Sequence, residues 1–222
     1  MVKIVAGDLD RLVQNTLLYT NANAIRLREV LFVPMVDHFY AYSCDDHIAI
    51  KEEITWEGGP TNNTGFSLSL DEANRFGDWI KKDKKVVHKT DITLRFYNTY
   101  FKASTDDETE KFEYTEPAWD AWFLVLRMLS EDDQEEIPIP QFAVRPDRWA
   151  KMARLKADKE APIVFRGIDI NGHLLLQFKK GLSLIGVAMP IDMSYVQEEF
   201  LWQDTDQYHN LASMQTVPKT TD

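Results

Sequence analysis

Residues 141–190 read QFAVRPDRWAKMARLKADKEAPIVFRGIDINGHLLLQFKKGLSLIGVAMP. The run 141–145 (QFAVR) alternates like a strand and leads into Pro146, which stands at a first helical turn where its missing N–H costs nothing. Trp149, Met152, Ala153 and Leu155 then fall on one side of a helix. Next come 162–168, 173–178 and 182–190, with the β-branched and apolar content of strands and an Asn171-Gly172 hairpin turn between the first two. The order is strand, helix, strands.

The same order occurs twice upstream. An apolar run at 2–6 precedes Asp8, a predicted N-cap, and Leu9, Leu12, Val13 and Leu17 at helical spacing. Strands follow at 29–36 (EVLFVPMV), 39–43 (FYAYS) and 47–54 (HIAIKEEI). After the turn formers of 58–63, FSLSL (66–70) reads as a strand and Asp71 as the cap of a helix carrying Ala73, Phe76, Trp79 and Ile80. Strands at 91–96, 99–104 and 111–115 complete that unit. Between the second and third units, 118–130 (AWDAWFLVLRMLS) is apolar on nearly every side and predicts a largely buried helix. Acidic, proline-punctuated 131–140 (EDDQEEIPIP) predicts an exposed connector and the place for a domain boundary.

A chain of 222 residues with 44% hydrophobic and 12% aromatic content is long and apolar enough to bury a core in one large or two ordinary domains. Its single cysteine, Cys44, excludes an internal disulfide framework and a Cys-based zinc site. The N-terminus has no continuous apolar core of a signal peptide, and no stretch is long and apolar enough to span a bilayer. An intracellular, cytoplasmic setting without membrane contact is expected, in which the Asn62 sequon has no role.

A net charge of −11, if evenly spread, repels nucleic acid. It is not evenly spread. Residues 75–89 hold six cations and two acids, as do residues 145–159, so each stretch carries +4 and the rest of the chain −19. With an apolar stripe turned to a sheet, each helix presents its Lys/Arg stripe outward, which is what contact with a phosphate backbone requires. One charged helix face is usually plain solvated surface; recurrence at the same place in a repeated unit favours a function.

Catalytic signatures are missing. There is no G-x-G-x-x-G, P-loop, H-E-x-x-H or G-x-S-x-G pattern, and His38, His47, His88, His173 and His209 show no ligand spacing. Asp45-Asp46-His47 reads as a turn, because adjacent strand residues point to opposite faces. The acidic runs at 106–108 and 131–133 match no cation loop, and Cys44 reads as a small strand residue. No enzyme activity, metal or cofactor is expected.

The repeated unit, with basic helices on an acidic body, resembles the DNA sliding clamps, the processivity factors of replicative polymerases. FAVRPDRWAKMARLKADKEAPIVF (142–165) is similar to the start of the last domain in bacterial clamps, and GHLLLQFKKGLSLIGVAMPI (172–191) to their closing strands with a terminal Met-Pro-aliphatic motif. The resemblance implies an α+β fold of repeated β-α-β-β(-β) units, with sheets outside and helices lining a ring. By position it makes Arg75, Lys81, Lys82, Lys84, Lys85, Arg148, Lys151, Arg154 and Lys156 DNA-facing. A partner pocket falls on Ile137, Ile139, Gln141, Val187, Met189, Pro190 and Ile191.

Implied partners are duplex DNA, bound without sequence preference, a DNA polymerase and a clamp loader. Bacterial clamps have three domains per chain, whereas this length accommodates two, which favours a homotrimer and a compact, viral or phage-like form acting in a bacterial host's cytoplasm. The divisions expected are 1–117, a first domain of two units; 118–192, a second whose first unit is reduced to the 118–130 helix; and a tail, 193–222, with the apolar island Phe200-Leu201-Trp202. The alternative is a clamp-fold interaction module, an adaptor or decoy of replication proteins that does not encircle DNA.

Overall fold

The computed structural model describes residues 1–20, 27–58, 65–82, 90–130, 136–137, 142–157 and 161–190. The first unit is β1 (Val2–Val5), α1 (Ala6–Leu18), β2 (Glu29–Pro34), β3 (His38–Cys44) and β4 (Ile48–Thr55). The second is β5 (Phe66–Ser69), α2 (Leu70–Lys82), β6 (Asp91–Phe96), β7 (Tyr100–Ser104) and β8 (Thr109–Glu113). After α3 (Trp119–Leu129) and the two-residue β9 (Glu136–Ile137) comes the third, with α4 (Pro146–Arg154), β10 (Ile163–Ile170), β11 (His173–Lys180) and β12 (Leu184–Ala188).

The first two units exchange their leading strands. β1 pairs with β6, giving a four-stranded sheet β1-β6-β7-β8, while β5 pairs with β2 in the other sheet. Single bridges, Lys3 with Glu57 and Ser67 with Thr115, tie the sheets at their corners. β4 then pairs antiparallel with β12, from Leu184 opposite Glu52 to Ala188 opposite Ile48. This seam makes an eight-stranded sheet, β5-β2-β3-β4-β12-β11-β10-β9, that carries the chain from the first two units into the third.

Strand alternation assigns the helices to faces. Val30 and Phe32 of β2 join α1 and α2 in one core with Phe39, Phe66, Phe76, Phe101 and Phe112. Ile48 and Ile50 of β4, Phe178 and Leu184 pack beneath Met152 and Leu155 at the α4 end. The alternate residues, Leu31, Ala49, Ile185 and Val187, meet Trp122, Val125 and Leu129 of α3. Thus α1, α2 and α4 share one face and α3 lies on the other. β12, covered from both sides, has no exposed position. Its Gly186 faces Phe178 across the ladder, where a Cβ would sit 2.1 Å from the ring; only glycine fits.

Some local expectations shift. The 118–130 helix is buried on one face only: Trp119, Phe123 and Leu124 are exposed because nothing among the described residues covers the side away from the sheet. Asp8 and Asp71 lie inside the first turns of α1 and α2 rather than at the caps; Ser69 Oγ accepts the Glu72 N–H at 3.2 Å. Within 141–145 no named strand forms among the described residues, and Ala143 makes only an isolated bridge. Asn171 and Gly172 both adopt positive φ, 58° and 80°, as the hairpin turn requires.

Candidate nucleic-acid interface

The basic residues of α2 and α4 are placed differently. On α2, Lys82 is exposed and Lys81 stands 3.9 Å from Asp78. Arg75 is held against β8, with one nitrogen 2.7 Å from Glu72 and another 3.0 Å from Glu110 and its guanidinium over the Phe112 ring. Lys84 and Lys85 lie outside the described residues.

On α4 the cations turn toward neighbours. Lys151 donates to Asp45 Oδ2 at 2.6 Å, at the β3–β4 turn. Arg148 Nη1 donates to the Met189 carbonyl at 3.0 Å. Past the helix end, Lys156 Nζ lies 3.5 Å from Asp10 of α1. Arg154 is exposed and has no ion pair among the described residues.

A buried polar cluster fixes α4's end to the first unit. The Asn15 side chain grips the Lys156 peptide group, with Oδ1 accepting its N–H at 2.7 Å and Nδ2 donating to its carbonyl at 2.8 Å. Nδ2 also donates to Glu52 Oε2 at 2.8 Å, and Arg11 Nε donates to Glu52 Oε1 at 2.8 Å. Glu52 is fully buried, and burial raises its pKa; the hydrogen bonds from Arg11 and Asn15 and the Arg11 charge pull the other way without reversing it. This cluster lies at the β4–β12 seam, since Glu52 is paired with Leu184.

The expected partner pocket is dispersed. Ile137 in β9 pairs with Gly167 of β10, three strand steps from β12, or about 14 Å across the sheet. Val187 is 2% exposed beneath α3. Met189 is exposed, Pro190 half-buried, and Ile139, Gln141 and Ile191 lie outside the described residues.

Asp45-Asp46-His47 is a turn, as read: Asp45 Oδ1 accepts the His47 and Ile48 N–H groups at 3.2 and 2.9 Å, and Asp46 takes φ 71°. No His, Cys, Asp or Glu cluster among the described residues could hold a metal. The Cys44 thiol is pushed up to about 11, chiefly by burial, far from a nucleophile's range. No helix among them is long and apolar enough to cross a membrane. Asn15, Glu52, Asp45 and Asp10, which tie the basic helix and the segment after it to the first unit, carried no local signal in the sequence.

This arrangement of exchanged strands, helices on a shared face and a continuous inter-unit sheet is the DNA sliding-clamp fold. The DNA polymerase sliding clamp of Bacillus subtilis matches with a TM-score of 0.59 at 12% identity, over 92% of this chain and 68% of its own. That of Pseudomonas aeruginosa gives 0.63 at 14%, over 92% and 68%. The Caulobacter crescentus pol III beta gives 0.61 at 12%, over 86% and 66%. The chain therefore spans about two thirds of each. No family model matches it, and no curated protein matches it in sequence.

Proposed function

We propose that the chain is a non-enzymatic DNA sliding clamp, a processivity factor that encircles duplex DNA and tethers a polymerase, loaded by a clamp loader inside the cell. One observation carries this reading: α1, α2 and α4 share one face of sheets that run on from unit to unit, the arrangement a ring needs to turn helices to DNA and sheets outward. Lys81, Lys82 and Arg154 supply the outward cations among the described residues, with Lys84 and Lys85 next to them in sequence. β8 supports assembly, because it holds in the second unit the place that β4 holds in the first, and among the described residues β4 carries a strand of the third unit on its edge whereas β8 ends its sheet.

The test compares retention on nicked circular duplex with retention on the same DNA linearised, after a salt challenge. Encirclement predicts retention on the circle and loss from the linear form, with a ring-sized mass by light scattering. Equal loss from both overturns it.

A second reading, an adaptor or decoy with the clamp fold and no ring, is favoured by the engagement of Arg148, Lys151 and Lys156 with Met189, Asp45 and Asp10. It predicts that Lys81→Glu, Lys82→Glu and Arg154→Glu together leave capture of replication proteins intact.

A further inference from the structure

The third unit has an open flank. In the first domain α2 lies against α1, so closely that a Cβ on Gly77 would meet Val13 and Leu17 at 3.1 and 3.3 Å. Trp79 of α2 is 5% exposed among Phe76 and Phe112. No helix covers the corresponding side of α4 among the described residues. There Trp149 is 47% exposed, its ring stacked on Phe165 of β10 at 5.5 Å and 18°, and Ala150 and Ala153 are exposed beside it.

We propose that this flank is a self-association surface, covered by α4 of a second copy lying antiparallel to it. The first domain shows the mode: two units of this design close a domain by setting their helices side by side. The third unit lacks such a mate within the described residues, and a second third unit has the same design and length.

The residues also complement themselves. In an antiparallel pair centred between Ala150 and Ala153, Trp149 of each copy meets Ala153 of the other, and on the opposite side of the contact Arg154 of each meets Asp147 of the other, so an ion pair closes both ends. Arg154, without an ion pair among the described residues, is available for this contact. A helix of nine residues makes a small interface, so association is weak and concentration-dependent. The inference rests on the fold and not on the DNA reading.

The test therefore uses the full chain without DNA. Sedimentation velocity over a hundredfold range of concentration is expected to show a monomer–dimer equilibrium, weakened at least tenfold in Trp149→Glu and in Arg154→Glu, with far-UV circular dichroism unchanged. A second measurement fixes the alignment. In a Cys44→Ser background, an Ala150→Cys chain mixed with an Ala153→Cys chain is expected to give the mixed disulfide in excess of either like pair. A monomer at every concentration, a dimer indifferent to Trp149→Glu, or a preference for like pairs overturns the proposal. Failure of retention on circular DNA with these results intact would instead remove only the clamp function.

Discussion

α2 and α4 look interchangeable by charge and differ in what surrounds them. Each begins a stretch of +4, and each carries a tryptophan on its apolar side. Trp79 is closed in by Phe76 and Phe112, and Lys82 is left to solvent. Trp149 is half exposed, and Lys151, Lys156 and Arg148 reach to Asp45, Asp10 and the Met189 carbonyl. The positive charge of α4 thus works partly as attachment of the third unit to the first. Helix charge predicts an outward function only after the acids beneath the helix are known.

The largest effect expected from this contrast is on the packing of the two tryptophan sites. Phe112→Ala, at a fully buried ring beneath α2, is expected to cost about 3–5 kcal/mol in urea unfolding, through lost burial and an unfilled cavity. Trp149→Ala, measured where the chain is monomeric, is expected to cost about 1–2 kcal/mol, since about half of that residue is already in water and only its contact with Phe165 is lost. Equal losses would mean that the α4 flank is as closed as α2's.

Asn15→Ala comes next. It strips a partner from the N–H and the carbonyl of Lys156 and from Glu52, at a buried site, and is expected to cost about 1–3 kcal/mol. Hydrogen exchange at the Lys156 amide should rise with it, while the β6–β7 amides stay protected. A variant as stable as the parent would show that the seam is held by β4 and β12 alone.

Glu52 gives the same seam a pH dependence. Its folded pKa lies above the unfolded one, so its contribution is fully present below the ordinary carboxylate value and is lost as pH rises through the raised value. Relative to Glu52→Gln, the parent should lose stability over that interval and then run parallel to it. The groups facing it are Arg11, Asn15 and the more distant Asp8. Parallel curves throughout would refute the raised pKa.

The strand and helix order was legible because it is local: alternation, turn formers and Pro146 mark their own elements. The repeat and the face of each helix could be anticipated from the apolar stripes. What joins the units could not. Lys151 and Asp45 are 106 residues apart, Asn15 and Lys156 141, and no periodicity links such pairs. Glu52 in the charged run KEE reads as surface, yet α1 covers that position of a central strand. Likewise α3 has apolar residues enough for burial on every side, but only one sheet face to meet. The basic stripe was legible as composition, and its partition into engaged and outward cations was not.

The smallest effect sharpens the comparison most directly, because it separates two lysines of equal charge. If duplex DNA meets the shared helix face, Lys82→Ala removes a cation that displaces counterions, and the slope of log affinity against log salt should shrink by about one. Lys151 is already neutralised by Asp45 at 2.6 Å, so it has little counterion displacement to offer. Lys151→Ala should leave the slope nearly unchanged and instead lower stability by about 1 kcal/mol, because the buried Asp45 carboxylate loses its partner and keeps only its turn N–H bonds. Fluorescence anisotropy on a short labelled duplex measures the first quantity and urea unfolding the second. If Lys151→Ala instead reduced the slope as much as Lys82→Ala, α4 would be meeting DNA with the Asp45 pair broken, and the two helices would be equivalent after all.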